Sequence, residues 1–223
     1  VAFLDGVQRL ELLAYAGSAP VFVGMIAAGV RERREGRLRT AVEARRWLAV
    51  GRPSALAAAG EALHQLEPVA LPDDDPAHPV RDLTQASRAL DRARGALELE
   101  VGRAYRRRSD AWLVVDGALS ESPEWAADAR TVGVSKSQAT LPFDGPELER
   151  YLRLPVGHRT SVFAPESRSV APVLAWAVRL WPWEDRDLFH GLIRVEVAPE
   201  NGGSESADLL TRRLLAERAP LST

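Results

Sequence analysis

The sequence predicts an α/β fold, on three observations. Its first thirty residues are strand-like. Residues 80–108 carry the periodicity of one long helix. Residues 111–115 (AWLVV) form a short, wholly apolar run, as expected of a strand buried on both faces, and strand and helix patterns alternate after it. Strands, a long helix and then alternating elements define a mixed sheet flanked by helices. At 223 residues the chain suits one large domain, 1–223, with a helical insertion and the long helix at 31–110 inside it.

The elements follow in order. Residues 1–4 are apolar and close on Asp5-Gly6. Residues 7–15 alternate in part, with Leu10, Leu12 and Ala14 set against Arg9, Glu11 and Leu13. This predicts a strand, a tight turn or bend at Asp5-Gly6 and a second strand. Residues 20–30 predict a third strand, and the three make an antiparallel meander. Residues 31–46 hold seven arginines and three glutamates and read as a solvated helix or arm. Residues 53–66 are alanine-rich and helical. The Asp73-Asp74-Asp75 run and four prolines make 68–79 a loop.

In 80–108, Leu83, Leu90, Leu97 and Ala104 recur at seven, with Ala86, Ala93 and Val101 between them. At ~1.5 Å per residue this helix is about 44 Å long. Ser122-Pro123 opens a short helix and 131–135 is a strand. Pro146 starts a helix over 145–152. Residues 160–164, 170–180 and 191–198 read as strands, the middle one with a helix as its alternative, and 206–218 as an amphipathic helix.

Composition excludes several chemistries. There is no cysteine, hence no disulfide framework, thiol nucleophile or cysteine-held metal. The 29 basic and 31 acidic residues give a net charge of −2, with no global basic signature. Of the basic residues 28 are arginine and one is lysine, Lys136. The longest nearly apolar stretch, 18–30, is too short to span a membrane, which takes about 20 residues. Asp5 stands where a signal peptide would be cationic. A cytoplasmic protein is expected, with both termini trimmed relative to the natural chain.

Two segments repeat one pattern, an apolar run followed by Asp-Gly: Phe3-Leu4-Asp5-Gly6 and Val114-Val115-Asp116-Gly117. Asp-Gly is a common turn signal on its own. As a pair, the two carboxylates at strand ends suggest a metal site. Converging carboxylates repel unless a cation lies between them, and Mg²⁺ or Mn²⁺ prefers such hard oxygen ligands. Two ions about 3.5–4 Å apart cleave phosphodiesters. Glu98 or Glu100 on the long helix would add a third carboxylate, and angle around the helix places Glu100 nearer the leucine stripe. Asp208 in the last helix is a further candidate.

Lys136 follows the strand after Asp116. Its Ser-Lys-Ser context lacks the upstream glycine of a phosphate loop, so ATP hydrolysis is not expected. As a point charge it suits a backbone phosphate. The four histidines show no zinc spacing. Trp176, Trp181 and Trp183 are candidates for base stacking or for the core.

An ordered set of segments carries a family resemblance. They are FLDGVQRLEL, LELEV, LVVDGALSESP, VGVSKS, GHRTSVF at 157–163, LIRVEVA and ADLLTRRLLAERAPLS. The chain resembles the bacterial branch of the NurA nuclease family, whose fold is RNase H-like and related to that of PIWI domains. The resemblance implies that Asp5 and Asp116 are metal ligands. It places the helix glutamate at Glu98 or Glu100, its LE pattern favouring Glu98. Asp208 falls where the family often has a histidine.

Lys136 matches the lysine after the second metal strand. Lys136 and Arg159 are the candidate substrate-binding residues. The resemblance further implies Mn²⁺- or Mg²⁺-dependent DNA cleavage in end resection, with two ions, homodimerisation and a HerA-type hexameric ATPase partner. A nuclease-fold subunit that binds DNA or the ATPase without cutting is the alternative.

Overall fold

The computed structural model describes residues 1–136, 141–165 and 171–218. Eight strands form one mixed sheet flanked by helices. In chain order they are β1 (Ala2–Ala16), β2 (Ala19–Arg34), β3 (Arg37–Gly51), β4 (Glu67–Ala70), β5 (Leu113–Asp116), β6 (Thr131–Ser135), β7 (Leu174–Arg179) and β8 (Leu192–Val197). The helices are α1 (Pro53–Ala59), α2 (Pro79–Arg106), α3 (Pro123–Ala126), α4 (Gly145–Leu152) and α5 (Ser204–Glu217). The chain divides into two compact units. The N-terminal unit is Leu4–Glu32 with Leu38–Ser109; the C-terminal unit is Val1–Phe3, Arg33–Arg37 and Asp110–Thr223.

In the N-terminal unit the strand order is β4-β3-β2-β1. A two-residue connection at Gly17-Ser18 joins β1 to β2, and another at Glu35-Gly36, in the segment counted with the C-terminal unit, joins β2 to β3. Glu35 and Gly36 both take positive φ, 51° and 77°, the hand that matches the twist of a hairpin. β4 is parallel to β3, in register from Leu48↔Glu67 to Gly51↔Ala70.

α2 buries Ala86, Leu90, Leu97 and Val101 of the stripe its periodicity predicts, together with Ala89 and Tyr105, while Leu83 of that stripe is exposed. It comes close to β2, where a Cβ on Gly24 would stand 2.6 Å from Leu90 Cδ1. The 71–79 loop is tied down by buried Arg52. Its guanidinium bonds both oxygens of buried Asp82, at 2.8 and 3.0 Å, Asp73 at 2.8 Å and the Asp75 carbonyl. The Arg52 hydrogen bonds outweigh burial and hold the Asp82 carboxyl below its ordinary range.

In the C-terminal unit the order is β5-β6-β8-β7. The start of β1 lies beside β5, its Ala2 N–H donating to the Trp112 carbonyl at 2.8 Å. β5 and β6 are parallel, β6–β8 and β8–β7 antiparallel. Alternation along β7 sets the two faces. Trp176 and Val178 join the cluster that contains Ala207 and Leu210 of α5. Ala177 joins the one that contains Tyr151 of α4. Arg179, at the end of β7, is wholly buried and donates to the carbonyls of Leu152, Leu154, Leu188 and His190. Burial, largest among the causes, pulls its pKa down.

Four expectations are corrected. Asp5-Gly6 is no turn: β1 runs through it, because Gly6 serves close packing rather than chain reversal. Residues 31–46 are neither helix nor arm, and the proposed helical insertion at 31–110 therefore begins with a hairpin. Its arginines project from β2 and β3, a solvated surface that helices and strands share. The 68–79 loop gives its first three residues to β4. Residues 160–164 make only isolated bridges to β7, Arg159↔Val178 and Phe163↔Ala175.

Candidate active site

Asp116 ends β5, and Lys136 lies just beyond the end of β6. Because β5 and β6 are parallel, both residues stand at carboxyl ends of strands, where open α/β sheets place ligands. Lys136 Nζ donates to Asp116 Oδ2 at 2.9 Å, with both side chains solvent-accessible. The chain after Asp116 doubles over β6. Gly117 takes φ 135° and donates its N–H to the Val134 carbonyl at 3.0 Å. Gly133 leaves the room: a Cβ there would lie 2.8 Å from the Gly117 carbonyl and 2.7 Å from Leu119 Cγ.

The same loop is anchored by a residue that sequence reasoning missed. Glu196 of β8, 1% exposed, accepts the Ser120 N–H at 3.0 Å. Its one sequence signal is a charged residue at an interior position of the apolar strand LIRVEV.

In the N-terminal unit, Asp5 is exposed and its Oδ1 accepts the Gly6 N–H at 2.8 Å. The Glu98 carboxylate lies directly against Gly6, with its Cδ 2.9 Å from where a Cβ would be. The structure therefore brings Glu98, and not Glu100, beside the Asp5-Gly6 step. Glu98 is 17% exposed and pairs with Arg94 one helical turn back, and Arg94 Nε also donates to Gln8 of β1 at 3.1 Å. Glu100 is 59% exposed and pairs with Arg46 of β3.

Asp208 is engaged by Arg159, whose Nε lies 2.6 Å from its Oδ1. Arg159 also donates to the Thr160 carbonyl at 2.7 Å and to Ser204 Oγ at 2.9 Å. Every guanidinium nitrogen of Arg159 is thereby used within the protein. Trp176 is a core residue, its indole N–H donating to Thr211 Oγ1 at 2.9 Å. Trp181 is partly exposed beneath the Arg218 guanidinium, 5.4 Å from the ring centroid.

Among the described residues, no three His, Asp or Glu side chains gather at metal-ligand spacing. Asp5, Glu98 and Asp116 offer only carboxylate oxygens, the ligands Mg²⁺ and Mn²⁺ select. Two of the three are balanced by a protein cation, Arg94 or Lys136. No helix is long and apolar enough to cross a membrane among the described residues.

The class is an α/β fold, a mixed sheet flanked by helices. The fold is NurA-like. The chain is similar in structure to the NurA nuclease from Sulfolobus solfataricus, with a TM-score of 0.58 and 11% identity, over 100% of this chain and 73% of that one. No family model matches the sequence, and no curated protein sequence matches it.

Proposed function

We propose that the protein is a divalent-metal-dependent DNA nuclease. One observation carries the reading: Asp116 and Lys136 are paired at the carboxyl ends of adjacent parallel strands, in a NurA-like fold. A carboxylate and an ammonium group there suit a metal ion and a phosphate respectively. Asp5, Glu98 and Asp116 would supply oxygen ligands to Mn²⁺ or Mg²⁺, with two ions expected. The metal would contribute Lewis acidity toward the phosphodiester. Asp208, paired with Arg159 as Glu98 is with Arg94 and Asp116 with Lys136, is the further candidate ligand.

The chain's own residues have separable tasks. Lys136 orients the Asp116 carboxylate and presents its ammonium group to a substrate phosphate. The Gly117–Ser120 loop, fixed by Gly133 and Glu196, sets the direction of the Asp116 side chain. Arg94 orients Glu98 against β1. The family resemblance of the motif set extends this reading to DNA end resection, in the cytoplasm, with a HerA-type hexameric ATPase and as a homodimer.

A second reading has its own observation. Glu98, Asp116 and Asp208 each have a protein cation as partner, which suits a fold that binds DNA or the ATPase without cutting. Incubation with single- and double-stranded DNA and with RNA, each with Mn²⁺, Mg²⁺ or chelator, separates the readings. Metal-dependent loss of DNA supports the nuclease. Binding without loss under every metal supports the second reading.

A further inference from the structure

The C-terminal unit has an open pocket of about 510 Å³ between residues 157–161 and α5. Its loop is rigidly placed. Gly157, at φ 78°, donates to the Arg179 carbonyl at 2.8 Å, and the Arg179 N–H returns to the His158 carbonyl at 3.1 Å. Arg159 then clamps the loop to α5 through Asp208 and Ser204. This clamp consumes the pocket's one carboxylate.

The remaining charge is positive. Arg212 lies one helical turn beyond Asp208 and is exposed on the pocket wall. Its Nε donates to the Asp208 carbonyl at 3.3 Å, which fixes the guanidinium while its terminal nitrogens have no partner among the described residues. His158 is exposed opposite, with Nδ1 3.1 Å from the Val156 carbonyl, which leaves Nε2 toward solvent. Ser161 adds a hydroxyl. A planar guanidinium and a hydroxyl around an open space are donors that recognise a phosphate, and His158 adds a donor at Nε2 in its protonated, imidazolium form.

We propose that this pocket binds a phosphate group of a DNA strand, through Arg212, His158 and Ser161. The identity of the ligand as DNA rests on the nuclease reading. Arg159, expected from the sequence to touch substrate, acts here as the clamp that builds the pocket.

The test uses the whole chain in chelator, so that binding is read without cleavage. Inorganic phosphate is titrated while the His158 imidazole is followed by NMR. Fluorescence anisotropy then measures 5′-phosphorylated and 5′-hydroxyl single strands against wild type, Arg212→Gln and a control, Arg150→Gln on α4. The expected result is a His158 signal that moves with phosphate. Arg212→Gln should weaken strand binding roughly tenfold and lower the salt slope by about one, with the control unchanged.

If the 5′-phosphate strand alone is preferred and Arg212→Gln abolishes the preference, the phosphate is terminal. If both strands weaken equally, it is internal. An unmoved His158, an Arg212→Gln variant that binds like wild type, or a wild type that binds neither strand overturns the proposal. Failure of the nuclease reading appears separately, as absent cleavage with Mn²⁺.

Discussion

Glu98 of α2 packs its carboxylate against Gly6 of β1, at a distance no other residue at position 6 would permit. The contact places an acid on the long helix next to the strand residue that follows Asp5. Glu100, two positions on, points instead to Arg46 in solvent. This assigns different roles to two glutamates the sequence leaves equivalent. Glu98→Gln is expected to reduce DNA cleavage beyond the roughly 10–100-fold that supporting residues of metal sites cost. Glu100→Gln, which loses only an exposed ion pair, should cleave like wild type and melt within about 0.5 kcal/mol of it. Initial rates and urea denaturation of the two variants check this.

Lys136 is the one lysine of the chain, and its partner is Asp116. Removing the ammonium group takes away the charge offered to phosphate while an exposed site costs the fold little. Lys136→Ala should lower the cleavage rate by roughly 10²-fold, the loss typical of one donor to a developing charge. Circular dichroism should show the fold unchanged.

Gly133 tests whether the loop after Asp116 needs its tight passage over β6. Its missing Cβ accommodates a backbone carbonyl, Gly117 O, which cannot swing away as a side-chain end can. Gly133→Ala should destabilise the protein by about 1–3 kcal/mol, as overpacking does. It should also slow cleavage, because the displaced segment begins at the Asp116 residue. Urea midpoints together with cleavage rates read both effects.

Tyr151 gives a stability signature at high pH. Burial, the largest cause, pushes its phenol up to about 12. An unfolded tyrosine ionises near 10. Below pH ~10 both states keep the proton. Between about 10 and 12 the unfolded state loses it first, so stability falls as pH rises. The interval of about two pH steps, at ~1.4 kcal/mol each, limits the loss to roughly 3 kcal/mol. Tyr151→Phe should flatten this part of the stability profile, as measured by urea unfolding at pH 9, 10 and 11.

Much of the fold was legible in the sequence, and for local reasons. The leucine heptad marked α2 and the apolar run marked β5, each to within two residues at its ends, and Pro146 marked α4 at its observed bounds. Asp116 and Lys136 were both found as residues that end strands, and the structure joins them. The rest depended on long-range packing. Asp5-Gly6 carries the signature of a turn, yet the glycine answers to a helix that arrives some ninety residues later. The arginines of 31–46 hid a hairpin because exposed strand and exposed helix look alike in composition. Its Glu35-Gly36 turn was the signal available. Glu196 and the Arg159–Asp208 clamp join elements far apart in sequence, which no local pattern encodes.

The most direct test of the central claim is degradation of DNA with Mn²⁺ by wild type, Asp5→Asn and Asp116→Asn, compared at equal concentration with melting curves alongside. The expected result is cleavage by the wild type alone, with all three proteins folded. Equal cleavage by the three would contradict the assigned site, and a folded wild type inert with every divalent metal would contradict the nuclease itself.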